Sequence, residues 1–332
     1  MKRIGVLGAG TWGMALARML ANSGHSVTVW SALEQEIDEF SVTRRHPNLP
    51  GMEIPEAIEF TKDICNVCEQ KDILLFAVPS VFVRSTARNA APYIAEGQVI
   101  VDVAKGIEAD TLLTMTQIIE DELKGKKAKL VALSGPTHAE EVAKDLPTTI
   151  VSACADLQVA KLVQDVFSNT CMRVYTNDDV LGVELCGAMK NIMALGSGIA
   201  LGLGYGDNTK AALITRGMAE ITRLGSAMGC NPKTFYGLAG IGDLIVTATS
   251  VHSRNNRCGM LLGQGVAPAE AVKQVGMVVE GIHALSAAMR LMEKYDVDMP
   301  IVKAVNAVVN LGADPREEVA VLMGREQRDE TE

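Results

Sequence analysis

A glycine turn set between a strand and a helix constrains this chain more than any other feature. The opening run RIGVLGAGTWGMALARMLANSG places an apolar, β-prone stretch at 3–8, then Gly8, Gly10 and Gly13 in G-x-G-x-x-G spacing, then a helical stretch. Each glycine meets a geometric demand. Gly8 permits the tight turn, Gly10 lets backbone approach a pyrophosphate, and Gly13 lets the helix pack closely on the strand. The helix N-terminus adds N–H donors and positive potential for phosphates. A second strand, SVTVW at 26–30, follows in the right order, and that context converts a weak spacing motif into a dinucleotide-binding βαβ unit.

The alternation continues. DILLFAVP (72–79), QVIVDVAKG (98–106) and AKLVALSG (128–135) are nearly continuous apolar runs, as expected of parallel strands covered on both faces, with TTIVSAC (148–154) and MRVYTN (172–177) extending the sheet. Beyond 178 the strand signal fades. The runs at 182–204, 209–229 and 281–295 carry helical periodicity with glycines at their ends. The expected fold class is therefore α/β, with a Rossmann-like doubly wound sheet at 1–178 and an all-helical domain at 179–332. The charged tail GREQRDETE is expected to fray.

Composition removes several classes of function. A formal charge of −9 argues against nucleic-acid or acidic-membrane partners. Seven scattered cysteines do not form a disulfide framework, and CNVC at Cys65 and Cys68 lacks the second pair or histidine that a metal site requires. No leader pattern opens the chain, and no apolar run approaches the about 18 residues of a membrane span, so a cytoplasmic location is expected. The same net charge means that an anionic ligand needs a local cluster of cations. Each lysine or arginine in an apolar or glycine-rich setting is thus a candidate.

Three segments supply them, and two more frame the same cleft. VDVAKGIE puts Lys105 at the carboxyl edge of a strand, where doubly wound sheets bind ligands. LSGPTHAEEVA ends a strand in a turn that brings Gly135 and Thr137 toward the same cleft; His138 is left as a packing or surface residue. LCGAMKNIMALGSG buries Lys190 in a small, apolar run with no acidic neighbour in sequence, and Cys186, Gly187, Ala194 and Ser197 share its helical face. That stripe fits close helix packing with the lysine at a rim. It fits equally a groove whose one reactive group is an amine. Farther on, GLAGIGDLIVTATSVHSRNNRCG offers Asp243 after a glycine-rich turn, then Ser253, Arg254 and Asn255 in a setting suited to bidentate phosphate recognition. GMVVEGIHA places Glu280 in an apolar, glycine-flanked segment.

The end of the second strand ordinarily separates NAD from NADP: an acid bonds the ribose 2′-hydroxyl, an arginine accommodates a 2′-phosphate. Here Ser31 and Ala32 occupy those positions, Glu34 falls in the next segment, and Arg44 and Arg45 lie farther on. With the discriminating acid missing, the reading leans to NADP or to use of both nucleotides.

These segments, in this order, resemble the bacterial NAD(P)-dependent glycerol-3-phosphate dehydrogenases of the soluble type. The likeness spans nearly the whole chain, through GAGTWGMALA, NLPG, FAVPS, AKGIE, SGPTHAEEVA, GVELCGAMKNIMALGSGIALGLGYGDNTKAALITRG, GLAGIGDLIVTATSVHSRNNRCGMLLGQG and VVEG. The resemblance implies an active site between the two domains and reversible reduction of dihydroxyacetone phosphate to sn-glycerol 3-phosphate, which supplies glycerophospholipid synthesis. It implies a cofactor, NADP or NAD, held by the glycine turn with Thr11 and Trp12, and by Lys105, Ala139, Arg254, Val278 and Glu280. It implies substrate contacts from Lys105, Gly135, Thr137, Lys190, Asp243, Ser253, Arg254 and Asn255, with Lys190 as the catalytic proton donor and acceptor. A homodimer is the family-level expectation. The sequence departs from the family at Ser31-Ala32, where Arg or His is common, at Val81 in place of Gln, and at His138 in place of Phe. A 6-phosphogluconate- or ketopantoate-type reductase, another lysine-dependent dehydrogenase, is the alternative enzyme; SRNNRCG and GLAGIGDL argue against it. A non-enzymatic NAD(P)-sensing regulator would need the cofactor site without Lys190, Asp243 and Arg254 together.

Overall fold

The computed structural model describes residues 1–327, 329 and 330. Arg328, Thr331 and Glu332, and with them part of the tail expected to fray, lie outside the described residues. The first part of the chain builds one eight-stranded sheet in the order β3-β2-β1-β4-β5-β6-β7-β8. Its strands are β1 (Arg3–Leu7), β2 (Ser26–Trp30), β3 (Ile58–Thr61), β4 (Ile73–Phe76), β5 (Val99–Asp102), β6 (Lys129–Ser134), β7 (Thr148–Ala153) and β8 (Met172–Asn177). Alternate residues feed opposite faces: Val6, Leu75 and Val101 enter one apolar core, Leu7, Leu74 and Ile100 another. That double coverage is why the strands read as continuous apolar runs.

Two features of the sheet differ from the sequence reading. β3, the tetrapeptide IEFT, carries no long apolar run; it is an edge strand with one fully buried residue, Ile58, so the signal was too weak to register. β7 joins the sheet as expected but runs antiparallel to β6, with Leu133 opposite Ser152, whereas β8 is parallel to β7. A strand's own composition does not encode its direction; the connection through the Gly135–Pro147 segment does.

Seven helices interleave with the strands: α1 (Thr11–Asn22), α2 (Glu34–Thr43), α3 (Ile64–Cys68), α4 (Val83–Ala90), α5 (Met115–Glu122), α6 (Ala139–Val142) and α7 (Leu157–Phe167). Among the described residues nine follow: α8 (Val180–Gly202), α9 (Asp207–Ala227), α10 (Pro232–Phe235), α11 (Asp243–Thr249), α12 (Arg254–Gly263), α13 (Pro268–Val275), α14 (Glu280–Tyr295), α15 (Pro300–Asn310) and α16 (Pro315–Met323). No strand occurs after Asn177 among the described residues.

The second part is organised around α8. Asp179 starts it by accepting the Gly182 N–H at 2.9 Å, and every residue from Gly182 to Ala200 is buried. The expectation that no apolar run approaches the length of a membrane span is corrected here. α8 has that length and composition despite Glu184 and Lys190, but 89% of its most apolar stretch lies inside the protein, the position of a core helix. Its closest neighbour is α12. Gly198 and Gly202 face Gly259 and Gly263, so the two backbones nearly touch: a Cβ on Gly259 would stand 2.1 Å from the Leu195 carbonyl oxygen. Small residues at spacing four on both helices permit this approach.

Candidate active site

The glycine turn has the shape its spacing demands. Gly8 has φ +121° and donates its N–H to the Trp30 carbonyl at 2.8 Å, while a Cβ on Gly13 would lie 2.1 Å from the Gly8 carbonyl oxygen. Around Gly10 the space a Cβ would take is open. Bare backbone at the N-terminus of α1, facing open space, fits a dinucleotide pyrophosphate. Thr11 and Trp12 are half-buried in the first turn of the helix, and Ala139 is buried at the start of α6.

Across the carboxyl edge of the sheet, two lysines meet one carboxylate. Lys190 Nζ donates to Asp243 Oδ1 at 2.5 Å and to Thr247 Oγ1 at 2.6 Å. Lys105 Nζ donates to Asp243 Oδ2 at 2.7 Å and to the Gly135 carbonyl at 3.0 Å. Thr137 closes the turn by donating its hydroxyl to the same carbonyl at 3.1 Å. Asp243 is fully buried and Lys190 is 5% exposed. An ammonium has three N–H bonds, so each lysine keeps one beyond those that hold it in place.

Burial lowers the Lys190 pKa to about 7; the Asp243 carboxylate opposes the shift and the Lys105 charge adds to it. A lysine near neutrality can both give and take a proton at physiological pH.

The stripe on α8 is close packing throughout, and Lys190 within it is buried rather than at a rim. Gly187 abuts the Lys105 side chain and Ser134, so its missing side chain lets Lys105 lie against the helix beside Lys190. Farther along, Ser197 bonds the Ala248 carbonyl and Gly198 packs on α12, which is plain helix contact. The glycine-rich turn before Asp243 is a π-helical turn, Leu238–Gly242, that runs into α11. Thr247, which sequence reading missed, is one turn beyond Asp243, and that spacing on one helix face is the signal that would have found it.

Ser253 caps α12 by accepting the Asn256 N–H at 3.2 Å. Asn255 is committed to the protein, donating to Asn191 Oδ1 and accepting from the Gly281 N–H, both at 2.9 Å. One amide N–H of Asn255 remains. Arg254 differs: half-buried, its guanidinium has no hydrogen bond or ion pair among the described residues, and burial lowers its pKa against the pull of Glu280 and Glu140. Such a cation is positioned for an anion that the protein does not supply. Glu280 accepts the Ser80 N–H at 3.1 Å and the Ser80 hydroxyl, tying the start of α14 to the loop after β4, with Val278 half-buried beside it. His138 sits 5.7 Å, ring to ring, from His252; burial and then the Lys190 charge lower its pKa, and its Nε2 is buried without a partner.

A dinucleotide turn on a doubly wound sheet, facing a buried lysine of near-neutral pKa on a helical domain, defines an NAD(P)-dependent dehydrogenase. Comparison with known proteins gives the particular family. Residues 3–160 match the N-terminal model, and residues 179–320 the C-terminal model, of NAD-dependent glycerol-3-phosphate dehydrogenase, and the chain belongs to that family. A relative from Lactobacillus delbrueckii subsp. bulgaricus, glycerol-3-phosphate dehydrogenase (NAD(P)+) 2, is 69% identical over 334 residues, covering 99% of each chain. The crystal structure of glycerol-3-phosphate dehydrogenase from Coxiella burnetii is 36% identical, covers 98% of this chain and 99% of its own, and superposes with a TM-score of 0.93. A ketopantoate reductase from Ralstonia eutropha shares the fold alone, at 17% identity and TM-score 0.62.

Proposed function

We propose that the chain reduces dihydroxyacetone phosphate to sn-glycerol 3-phosphate, reversibly, with NAD(P)H, and so supplies glycerophospholipid synthesis. The observation that carries this reading is Lys190 held by Asp243 and Thr247 with one N–H to spare. A reduced nicotinamide nucleotide, when held by the glycine turn, would supply the hydride that the ketone carbon needs. As charge grows on the carbonyl oxygen, the remaining N–H of Lys190 stabilises it and then donates its proton; in the oxidative direction the neutral amine takes the hydroxyl proton. Asp243 fixes both ammonium groups through its two oxygens, and Lys105 offers its own remaining N–H to the substrate. Arg254, with Ser253 and Asn255, clamps the phosphate, while Gly135 and Thr137 wall the same cleft. The glycine turn, Ala139, Val278 and Glu280 flank the nucleotide.

In this reading residues 1–178 are the dinucleotide-binding domain and 179–332 the helical substrate and catalytic domain, and the active site lies between them. The chain works as a homodimer in the cytoplasm without a membrane or nucleic-acid partner, in keeping with its charge of −9. Oxidation of NADH or NADPH followed at 340 nm with dihydroxyacetone phosphate tests the activity. Turnover with at least one nucleotide is expected, and its absence with both refutes the reading.

A further inference from the structure

The strand end that ordinarily discriminates NAD from NADP carries no acid in this sequence, yet the fold brings one there. The hydrogen bond from Gly8 N–H to the Trp30 carbonyl sets Ser31 beside the first glycine of the dinucleotide turn. Ser31 is buried, and its hydroxyl donates to Glu36 Oε2 at 2.6 Å while accepting the Leu33 N–H at 3.1 Å. Glu36 stands in the first turn of α2, half-buried, tethered back to the end of β2. His46 is buried near the same corner, beside Ala9 of the glycine turn and within reach of the charges of both Glu36 and Glu39.

The cations that could receive a 2′-phosphate are occupied or lie to the side. Lys62 is paired with Asp38 at 2.8 Å and with Glu34 at 3.6 Å. Arg44 donates to the Ile58 carbonyl at 2.9 Å, lies over the Phe60 ring and pairs with Glu56 at 3.5 Å. Arg45 is exposed, with its backbone paired to Glu53. The first two turns of α2 hold Glu34, Glu36, Asp38 and Glu39. A ribose 2′-hydroxyl can donate to a carboxylate at this strand end, whereas a 2′-phosphate, with nearly two negative charges, is repelled by it.

We propose that Glu36 is the residue that selects NAD over NADP, its carboxylate standing where Ser31-Ala32 left the sequence without one. The inference rests on the dehydrogenase reading for its cofactor class but not for its substrate. The test is a fluorescence titration of the whole protein with NADH and with NADPH, which needs no ketone, alongside kcat/KM for each nucleotide with dihydroxyacetone phosphate. The wild type is expected to bind NADH at least tenfold more tightly than NADPH. Glu36→Gln, which keeps the size and an oxygen to accept from Ser31 but removes the charge, narrows that ratio about tenfold. Glu39→Gln removes the same charge from an exposed position on the same helix and leaves the ratio near wild type. Equal or tighter binding of NADPH by the wild type overturns the proposal, as does an unchanged ratio in Glu36→Gln, an equal shift in Glu39→Gln, or failure to bind either nucleotide. Nucleotide binding without turnover of dihydroxyacetone phosphate refutes the proposed activity alone.

Discussion

Lys190 and Asp243 lie 53 positions apart in the chain and 2.5 Å apart in the fold, joined by a salt bridge closed off from solvent. An unpaired buried charge costs several kcal/mol, so Lys190 depends on this carboxylate. The second Asp243 oxygen, bonded to Lys105, keeps the carboxylate compensated when Lys190 is altered.

Lys190→Ala is therefore expected to fold and to bind NADH, while kcat falls by about 10²–10⁴-fold, the usual worth of general acid–base assistance. Steady-state kinetics with a parallel nucleotide titration separates the two effects. A kcat within a fewfold of wild type removes the lysine from proton transfer.

The pH dependence has a defined sign. Reduction needs Lys190 protonated, so kcat/KM for dihydroxyacetone phosphate falls as pH rises through about 7; oxidation needs the neutral amine and rises through the same region. Asp243 raises the lysine's affinity for its proton, so Asp243→Asn moves the reductive limb to lower pH. Paired profiles in both directions, with circular dichroism to confirm folding of the variant, check this. A reductive limb that stays in place in Asp243→Asn contradicts it.

At the contact between α8 and α12, Gly259→Ala forces a methyl group to within 2.1 Å of the Leu195 carbonyl oxygen, which is main chain and cannot turn aside. The expected loss is about 1–3 kcal/mol or more, as for other overpacked sites. Denaturant unfolding of this variant beside Gly265→Ala, at a position with open space around it but φ +88°, distinguishes steric overlap from backbone strain. A smaller loss for Gly259→Ala than for Gly265→Ala contradicts the packing argument.

Asp102, at the carboxyl end of β5, is 2% exposed, and both carboxyl oxygens are buried without a hydrogen-bond partner among the described residues. Burial, and then the neighbouring Glu184 charge, raise its pKa well above the ordinary value. The folded state thus holds the proton that the unfolded chain releases near pH 4, and stability is lost as pH rises from there toward the folded pKa, by up to about 1.4 kcal/mol per pH unit. Asp102→Asn removes that loss. Thermal melts are expected to show the variant gaining on wild type as pH rises above about 4, with little difference at pH 4; a gap that does not widen with pH rules the account out.

Much of this was legible in one dimension, for a local reason. The glycine turn, the parallel strands and α8 are each encoded by residues adjacent in sequence: spacing for the turn, apolar runs for the strands, helical periodicity for the core helix. Lys105, Lys190 and Arg254 stood out because a cation in an apolar or glycine-rich run has few cheap alternatives to a function. What stayed hidden depends on partners far along the chain. The edge strand β3 had too little apolar content to declare itself, and the antiparallel turn of β7 was set by its connection. Thr247 and Asn191 are ordinary polar residues until the helices carrying them pack.

The sequence by itself determined the dinucleotide turn, the helical second half and the identity of the cations, because these follow from local sterics and hydrophobic pattern. Only the tertiary structure decided that Asp243 joins both lysines, that the α8 stripe packs against Lys105 at Gly187 and against Ala248 at Ser197, and that Glu36 returns to the end of β2. Those outcomes depend on charges and backbones meeting in space, and a charge separated from its partner by 53 residues carries no local mark of the pairing.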